Sequence, residues 1–152
     1  MTRRAFNVFA LGLMDGSIDP DTDDLRIALL MTNTTVLSDA EAIPINNLAS
    51  FGTLDEFDGG APYARQSLAG KTPNRVNATP AVGLTVSDVA FGNLVAGTRS
   101  IKGALIYKHV DGTAANDIPL FYADFDTVKT PDGSAFTVQY PSGAVDFLPK
   151  TV

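Results

Sequence analysis

Apolar residues along the chain switch from a helical period near the N-terminus to a period of two further on. Phe6, Phe9, Ala10 and Leu13 fall at i, i+3, i+4 and i+7, which predicts a short amphipathic helix. Gly16 then stands where a helix C-terminal glycine belongs. Leu25-Arg26-Ile27-Ala28-Leu29-Leu30-Met31 is nearly continuous in apolar residues, the pattern of a central strand covered on both faces. Ile101, Gly103, Leu105 and Tyr107 share one phase of a strand, with Lys102 and Lys108 on the other. Phe121, Ala123 and Phe125 alternate with Tyr122, Asp124 and Asp126, and Phe136, Val138 and Tyr140 alternate with Thr137 and Gln139. Between these two runs lies Thr130-Pro131-Asp132-Gly133-Ser134, a turn in which proline fixes φ and glycine accepts a positive φ. Pro141-Ser142-Gly143 turns the chain again toward Val145 and Phe147. Short strands punctuated in this way, with no βαβ alternation, predict a mainly β fold: an antiparallel β-sandwich or barrel-like domain with a short N-terminal helix.

Three stretches are less regular. Asp19-Pro20-Asp21-Thr22-Asp23-Asp24 is rich in residues that cap and bend, and reads as a turn. Residues 33–58 carry the weakest pattern. Ser38 followed by Glu41 resembles a capping box, Pro44 limits any helix there to about one turn, and a second short helical segment is expected around Ile45 to Ser50. This region is read as a long excursion on the surface or at an interface. Tyr63 to Gly70 reads as an edge strand entered from a Gly59-Gly60 turn, with Tyr63, Arg65 and Ser67 alternating against Ala64, Gln66 and Leu68. The expected organisation is one domain over 1–152. It comprises an N-terminal helical arm (1–16), a first strand with its irregular excursion (17–62) and a β body (63–152).

Composition narrows the chemistry. The 152 residues hold 45% hydrophobic and 18% charged side chains, which fits a globular chain and excludes wholesale disorder. No apolar stretch approaches the ~20 residues that span a bilayer. Zero cysteines remove disulfides, thiolate nucleophiles and Cys-type zinc sites. Arg3-Arg4 ahead of an apolar run has the look of an export signal. The run is short, broken by Asn7 and followed by Asp15-Gly16 with no Ala-x-Ala site, so the helix is the preferred reading. The net charge of −6 hides three blocks: −7 over residues 1–60, +5 over 61–110 and −4 over 111–152. A basic middle between acidic ends suits either a surface that meets an acidic partner or charges scattered over solvated strands. Six basic residues without a recognition motif make a poor phosphate track, so no direct nucleic-acid binding is expected.

No catalytic constellation is legible in the sequence. His109 lies on the apolar phase of its strand beside Asp111-Gly112; there is no G-x-S-x-G elbow, and the Asp111 spacing is that of a turn. Asp19-x-Asp21-x-Asp23 copies the opening of an EF-hand loop, but Asp24 replaces the invariant glycine and Leu30 the bidentate Glu. A cation site of another kind at that turn stays open. Asp124, Asp126 and Asp146 could gather on neighbouring strands, without the aromatic platforms of a glycosidase cleft. No enzyme activity, cofactor or metal is expected.

The order of local motifs carries one resemblance. Leu13-Met14-Asp15-Gly16-Ser17-Ile18-Asp19 is followed by Asp23-Asp24-Leu25-Arg26-Ile27-Ala28-Leu29. Tyr63-Ala64-Arg65-Gln66-Ser67-Leu68 and Ser87-Asp88-Val89-Ala90-Phe91 come next, then Pro119 to Phe125 and Phe136-Thr137-Val138 before Ser142-Gly143. Over residues 11–147 this resembles a family of small structural proteins of tailed bacteriophages, similar to head decoration (cement) proteins. The resemblance implies a virion protein on the outer surface of an icosahedral head, made in the host cytoplasm. Its partners would be the major capsid protein and further copies of itself, a trimer favoured, with no membrane. Such proteins stabilise a shell by burying area across several subunits. On this reading Arg3 to Leu13 is an arm docked on a neighbour, and Arg65, Arg75, Arg99 and Lys102 are contacts to an acidic shell. The candidate assembly interface is Arg3, Arg4, Phe6, Phe9, Tyr63, Arg65, Arg75, Arg99 and Lys102. A phage tail or neck subunit, and a carbohydrate- or cation-binding β-sandwich module, are the alternatives.

Overall fold

The computed structural model describes residues 2–76, 81–140 and 144–146. The predicted Pro141-Ser142-Gly143 turn and Phe147 lie outside them. The chain is mainly β, with antiparallel sheets and a short N-terminal helix. Its centre is a five-stranded antiparallel sheet with strand order β1-β8-β7-β2-β3. These strands are β1 (Thr2–Ala5), β2 (Leu25–Met31), β3 (Gln66–Ser67), β7 (Ile101–Lys108) and β8 (Ile118–Lys129). A three-stranded sheet joins β4 (Thr72–Val76), β5 (Ala81–Thr85) and β10 (Ala144–Asp146), and β6 (Val89–Asn93) pairs with β9 (Ala135–Val138). The helices are α1 (Asn7–Asp15) and α2 (Val36–Ala42), with a 3-10 turn at Leu48–Ser50.

The central sheet is buried on both faces, which explains the unbroken apolar run of β2. Leu25, Ile27, Leu29 and Met31 enter one core with Phe9 of α1, Leu84, Val86, Val89, Phe91 and Val138. Ala28 and Leu30, of the opposite phase, enter a second core with Leu105, Tyr107, Tyr122, Val36, Ile45, Leu48 and Phe51. The expected alternation of β8 holds, with Phe121, Ala123 and Phe125 in the first core and Tyr122 in the second. In β7 the expected single apolar phase is doubled: Ala104 and Ile106 are buried as fully as Leu105 and Tyr107. Ile101 leaves the phase of Gly103 and joins the first core, because the register with β8 shifts between these two residues.

Residues 33–58, expected as an excursion on the surface or at an interface, form a cover on the sheet. Val36, Ile45, Leu48 and Phe51 close the second core. The local chemistry differs from the expected capping box at Ser38. Ser38 lies inside α2 and its hydroxyl bonds the Thr35 carbonyl, while Thr35 Oγ1 donates to Asp39 at 2.5 Å. The reciprocal box forms at the 3-10 turn instead, between Asn47 and Ser50. Ile43 ends α2 in an extended conformation, as a residue before Pro44 must.

The N-terminal segment is also corrected. Residues 2–5 form an edge strand on β8, so the helix starts later than an arm over 1–16 requires. Phe6 and Phe9, 2% and 1% exposed, do not share one buried face: Phe6 enters the second core and Phe9 the first. The chain wraps the end of the sheet at that point. Gly16 caps α1 at φ 76°, as expected. Fully burying a phenylalanine contributes roughly 1.5–3 kcal/mol, so this segment is integral to the fold. Leu11 and Met14 are left 61% and 87% exposed on the outside of α1.

Candidate functional site

Among the described residues no strand continues the outer edge of β2 beyond β3, and a polar network closes it. Asp55 to Phe57 pairs with the far end of β2: the Met31 N–H donates to the Asp55 carbonyl at 2.7 Å and the Phe57 N–H to the Leu29 carbonyl at 2.9 Å. The Leu29 N–H, left between this segment and β3, donates to the Tyr63 hydroxyl at 3.1 Å, and that hydroxyl donates to Glu56 at 2.9 Å. Each ladder group at this edge thus finds a partner.

Arg65 joins this edge to the end of β7. Its Nε and Nη2 donate to the two oxygens of Glu56 at 2.9 and 2.7 Å, a bidentate pair. Its Nη1 donates to the Tyr107 hydroxyl at 3.2 Å, and the guanidinium carbon lies 5.2 Å from the Tyr107 ring centroid. The same Nη1 is 3.7 Å from Asp117, which is fully buried. Asp117 accepts the Val110 N–H at 2.9 Å and faces His109 Nδ1 at 3.3 Å. Its backbone carbonyl accepts the Leu48 N–H, tying the loop before β8 to the cover of the second core. Burial, and then Glu56, push the Tyr63 hydroxyl well above the ordinary tyrosine range. Burial raises Tyr107 as well, while Arg65 pulls it the other way. The groups satisfy one another; the arrangement holds segments together and presents no free nucleophile.

The remaining expected site residues disperse. Arg99 pairs with Asp55, Lys102 with Asp124 at 3.1 Å and Lys108 with Asp23 at 2.8 Å. The basic middle block therefore folds largely onto the acidic first block, and Arg65, Arg99 and Lys102 have partners within the chain. Tyr63 is half-buried in the network, and Phe6 and Phe9 are core residues. Arg4 donates to the Ala40 carbonyl at 3.3 Å and lies 3.7 Å from Glu41. The side chains of Arg3 and Arg75 lie outside the described residues. At the aspartate-rich turn, Asp23 accepts the Asp19 N–H at 2.8 Å as well as Lys108, and Asp19 accepts the Asp21 N–H at 3.1 Å. A hydrogen bond from Thr22 leads the causes that lower the Asp19 carboxyl. No group of three carboxylates or histidines among the described residues is arranged to hold a metal. Asp111 accepts the Thr113 N–H and the Asn116 amide, the turn role expected of it. Sequence reasoning passed over Glu56 and Asp117, whose acidity carries no periodic signal.

At the other end of the sheet, a groove runs beside β1. Arg4, Ala5, Phe6 and Asn7 line one side; Ala40, Ile43, Pro44 and Ile45 line the other. No helix among the described residues is long and apolar enough to cross a membrane. No protein-family model matches the chain, and no curated protein or solved structure does either.

Proposed function

We propose that this protein is a non-catalytic virion structural protein, a decoration (cement) protein that binds the outer surface of an icosahedral phage head and stabilises it. The observation that carries this reading is the outer face of α1. Leu11 and Met14 stand 61% and 87% exposed there on a helix whose inner side is locked into the core through Phe9. Exposed apolar groups on a rigid element are the material of a protein–protein contact. The resemblance to phage head proteins names the partner: major capsid protein, with further copies of this chain. The contact is apolar in character, because Arg65, Arg99 and Lys102 are held within the fold.

Electron microscopy of the native particle tests the proposal. Density for this chain on the head exterior, at three-fold or local three-fold positions, is the expected result. A ring on the tail axis, or absence from purified particles, overturns it. A Leu11→Ser/Met14→Ser variant is expected to keep its melting temperature and lose occupancy on heads; full occupancy would remove α1 from the contact.

A further inference from the structure

Among the described residues, β1 is the outermost strand of the central sheet, and none of them pairs with its outer edge. Phe6 N–H donates to the Leu120 carbonyl at 3.1 Å, and β1 runs antiparallel to β8 with Ala5 opposite Phe121 and Arg4 opposite Tyr122. In an antiparallel ladder, hydrogen-bonded and non-bonded pairs alternate. Arg4 and Thr2 therefore bond toward β8, and the N–H and C=O of Arg3 and Ala5 point outward, away from the last strand of the sheet among the described residues. The groove beside this edge is lined by buried Phe6 and Ile45 and by Ile43, which is 45% exposed. Outward main-chain groups next to a groove that offers Ile43 and Pro44 for side-chain contact are the two requirements of recognition by strand addition.

A second copy of β1 is a poor occupant. Centred on a two-fold axis, Thr2–Ala5 would set Arg3 of one copy opposite Arg4 of the other, and like charges directly opposite are destabilising. An acidic strand meets the opposite condition. Arg4 engages Glu41 only at 3.7 Å, with the Glu41 side chain 70% exposed, and an exposed pair of that length contributes little. A carboxylate on an incoming strand replaces it at small cost. The geometry points to β1 as a docking edge for an extended acidic segment of a partner protein, paired in register with Arg3 and Ala5 and placing an apolar side chain against Ile43. This inference rests on the backbone geometry of β1 and is independent of the capsid reading.

Fluorescence anisotropy with the full chain tests it, using a labelled peptide of about eight residues that alternates Glu and Val. Binding is expected, weakened by salt and lost when alternate peptide amides are N-methylated. Ala5→Pro removes one outward donor without touching a bond to β8, since proline is tolerated on an edge strand. It is expected to weaken binding at least ~10-fold at an unchanged melting temperature. If Ala5→Pro does not fold, the N-methylated peptide on the unaltered chain decides: equal binding overturns the proposal. Equal binding of a Lys-Val peptide overturns it too. So does a self-associated state in sedimentation that Ala5→Pro abolishes, because a second copy would then hold the edge.

Discussion

Arg65 holds Glu56 through two nitrogens at 2.9 and 2.7 Å, and the two side chains are only 28% and 26% exposed. They sit nine residues apart in sequence, on either side of the turn that carries Tyr63, and fix the edge of β2 to the end of β7. Truncating Arg65 leaves Glu56 and buried Asp117 without their cation. Arg65→Ala is therefore expected to cost about 2–4 kcal/mol in urea unfolding. Glu56→Gln should cost less, and the double variant should cost less than the sum of the two, a positive coupling in the cycle. Additive effects would show that the pair is a surface ornament.

Tyr122 is the buried hydroxyl without a hydrogen-bond partner among the described side chains, in a residue that is 0% exposed. Its ring lies over Gly103, where an added Cβ would come within 2.5 Å of the hydroxyl and would also press on the Ala123 carbonyl. A buried unsatisfied hydroxyl costs about 1–3 kcal/mol. Tyr122→Phe is expected to stabilise by about 1 kcal/mol, raising the midpoint of thermal unfolding by ~3 °C. Gly103→Ala is expected to destabilise by about 1–3 kcal/mol through overpacking. Adding Tyr122→Phe should restore only part of that loss, because the backbone carbonyl cannot yield. A drop in melting temperature for Tyr122→Phe alone would mean that the hydroxyl has a partner.

How far the fold could be read from the chain depended on which forces were local. The run Leu25 to Met31 announced a doubly covered strand because neither phase carries more than one polar residue, and both cores confirm it. Phe121 to Asp126 announced its alternation, and Gly133 its turn, with φ 93°. The helix face failed because Phe6 and Phe9 are divided by the end of the sheet, a tertiary event that periodicity does not encode. The cover over residues 33–58 was missed because Val36, Ile45, Leu48 and Phe51 lie on both sides of Pro44 at spacings that are multiples of three, neither the strand period of two nor the helical 3.6. The polar network escaped for a related reason. Glu56, Arg65 and Asp117 meet only through folding, and the charge blocks that suggested an external partner are partners of one another.

Alkaline pH gives a clean readout of the tyrosines. Burial is the first cause raising the pKa of Tyr63, Tyr107 and Tyr122 above the ordinary value near 10. In the unfolded chain these groups ionise near pH 10, while in the folded chain they stay neutral. The stability they contribute is thus complete below about pH 10 and is lost as pH rises beyond it, because the unfolded state releases its protons first. Tyrosinate absorbance of these three is expected to appear in one step with the loss of circular dichroism. Ionisation of all four tyrosines at a pH where the β signal is intact would show that the hydroxyls are open to solvent.

The N-terminal segment offers the sharpest contrast between an arm and an integral part of the domain. An arm can be removed and leave a folded body. Residues 2–5 instead supply a strand to β8, and Phe6 and Phe9 enter opposite cores at 2% and 1% exposure. Replacing a buried phenylalanine by alanine costs about 3–5 kcal/mol, and a domain of this size has about 5–15 kcal/mol in total. Phe6→Ala and Phe9→Ala should each lower the urea midpoint strongly, and their combination should leave little folded protein at 37 °C. Deleting residues 1–12 goes further, since it also uncovers the outer edge of β8 and exposes Phe121 and Tyr122. The truncated chain is expected to lose its cooperative unfolding transition and to aggregate through that edge. A truncated chain that unfolds sharply, at a midpoint near that of the full chain, would return the segment to the status of an arm and free it for contact with a neighbour.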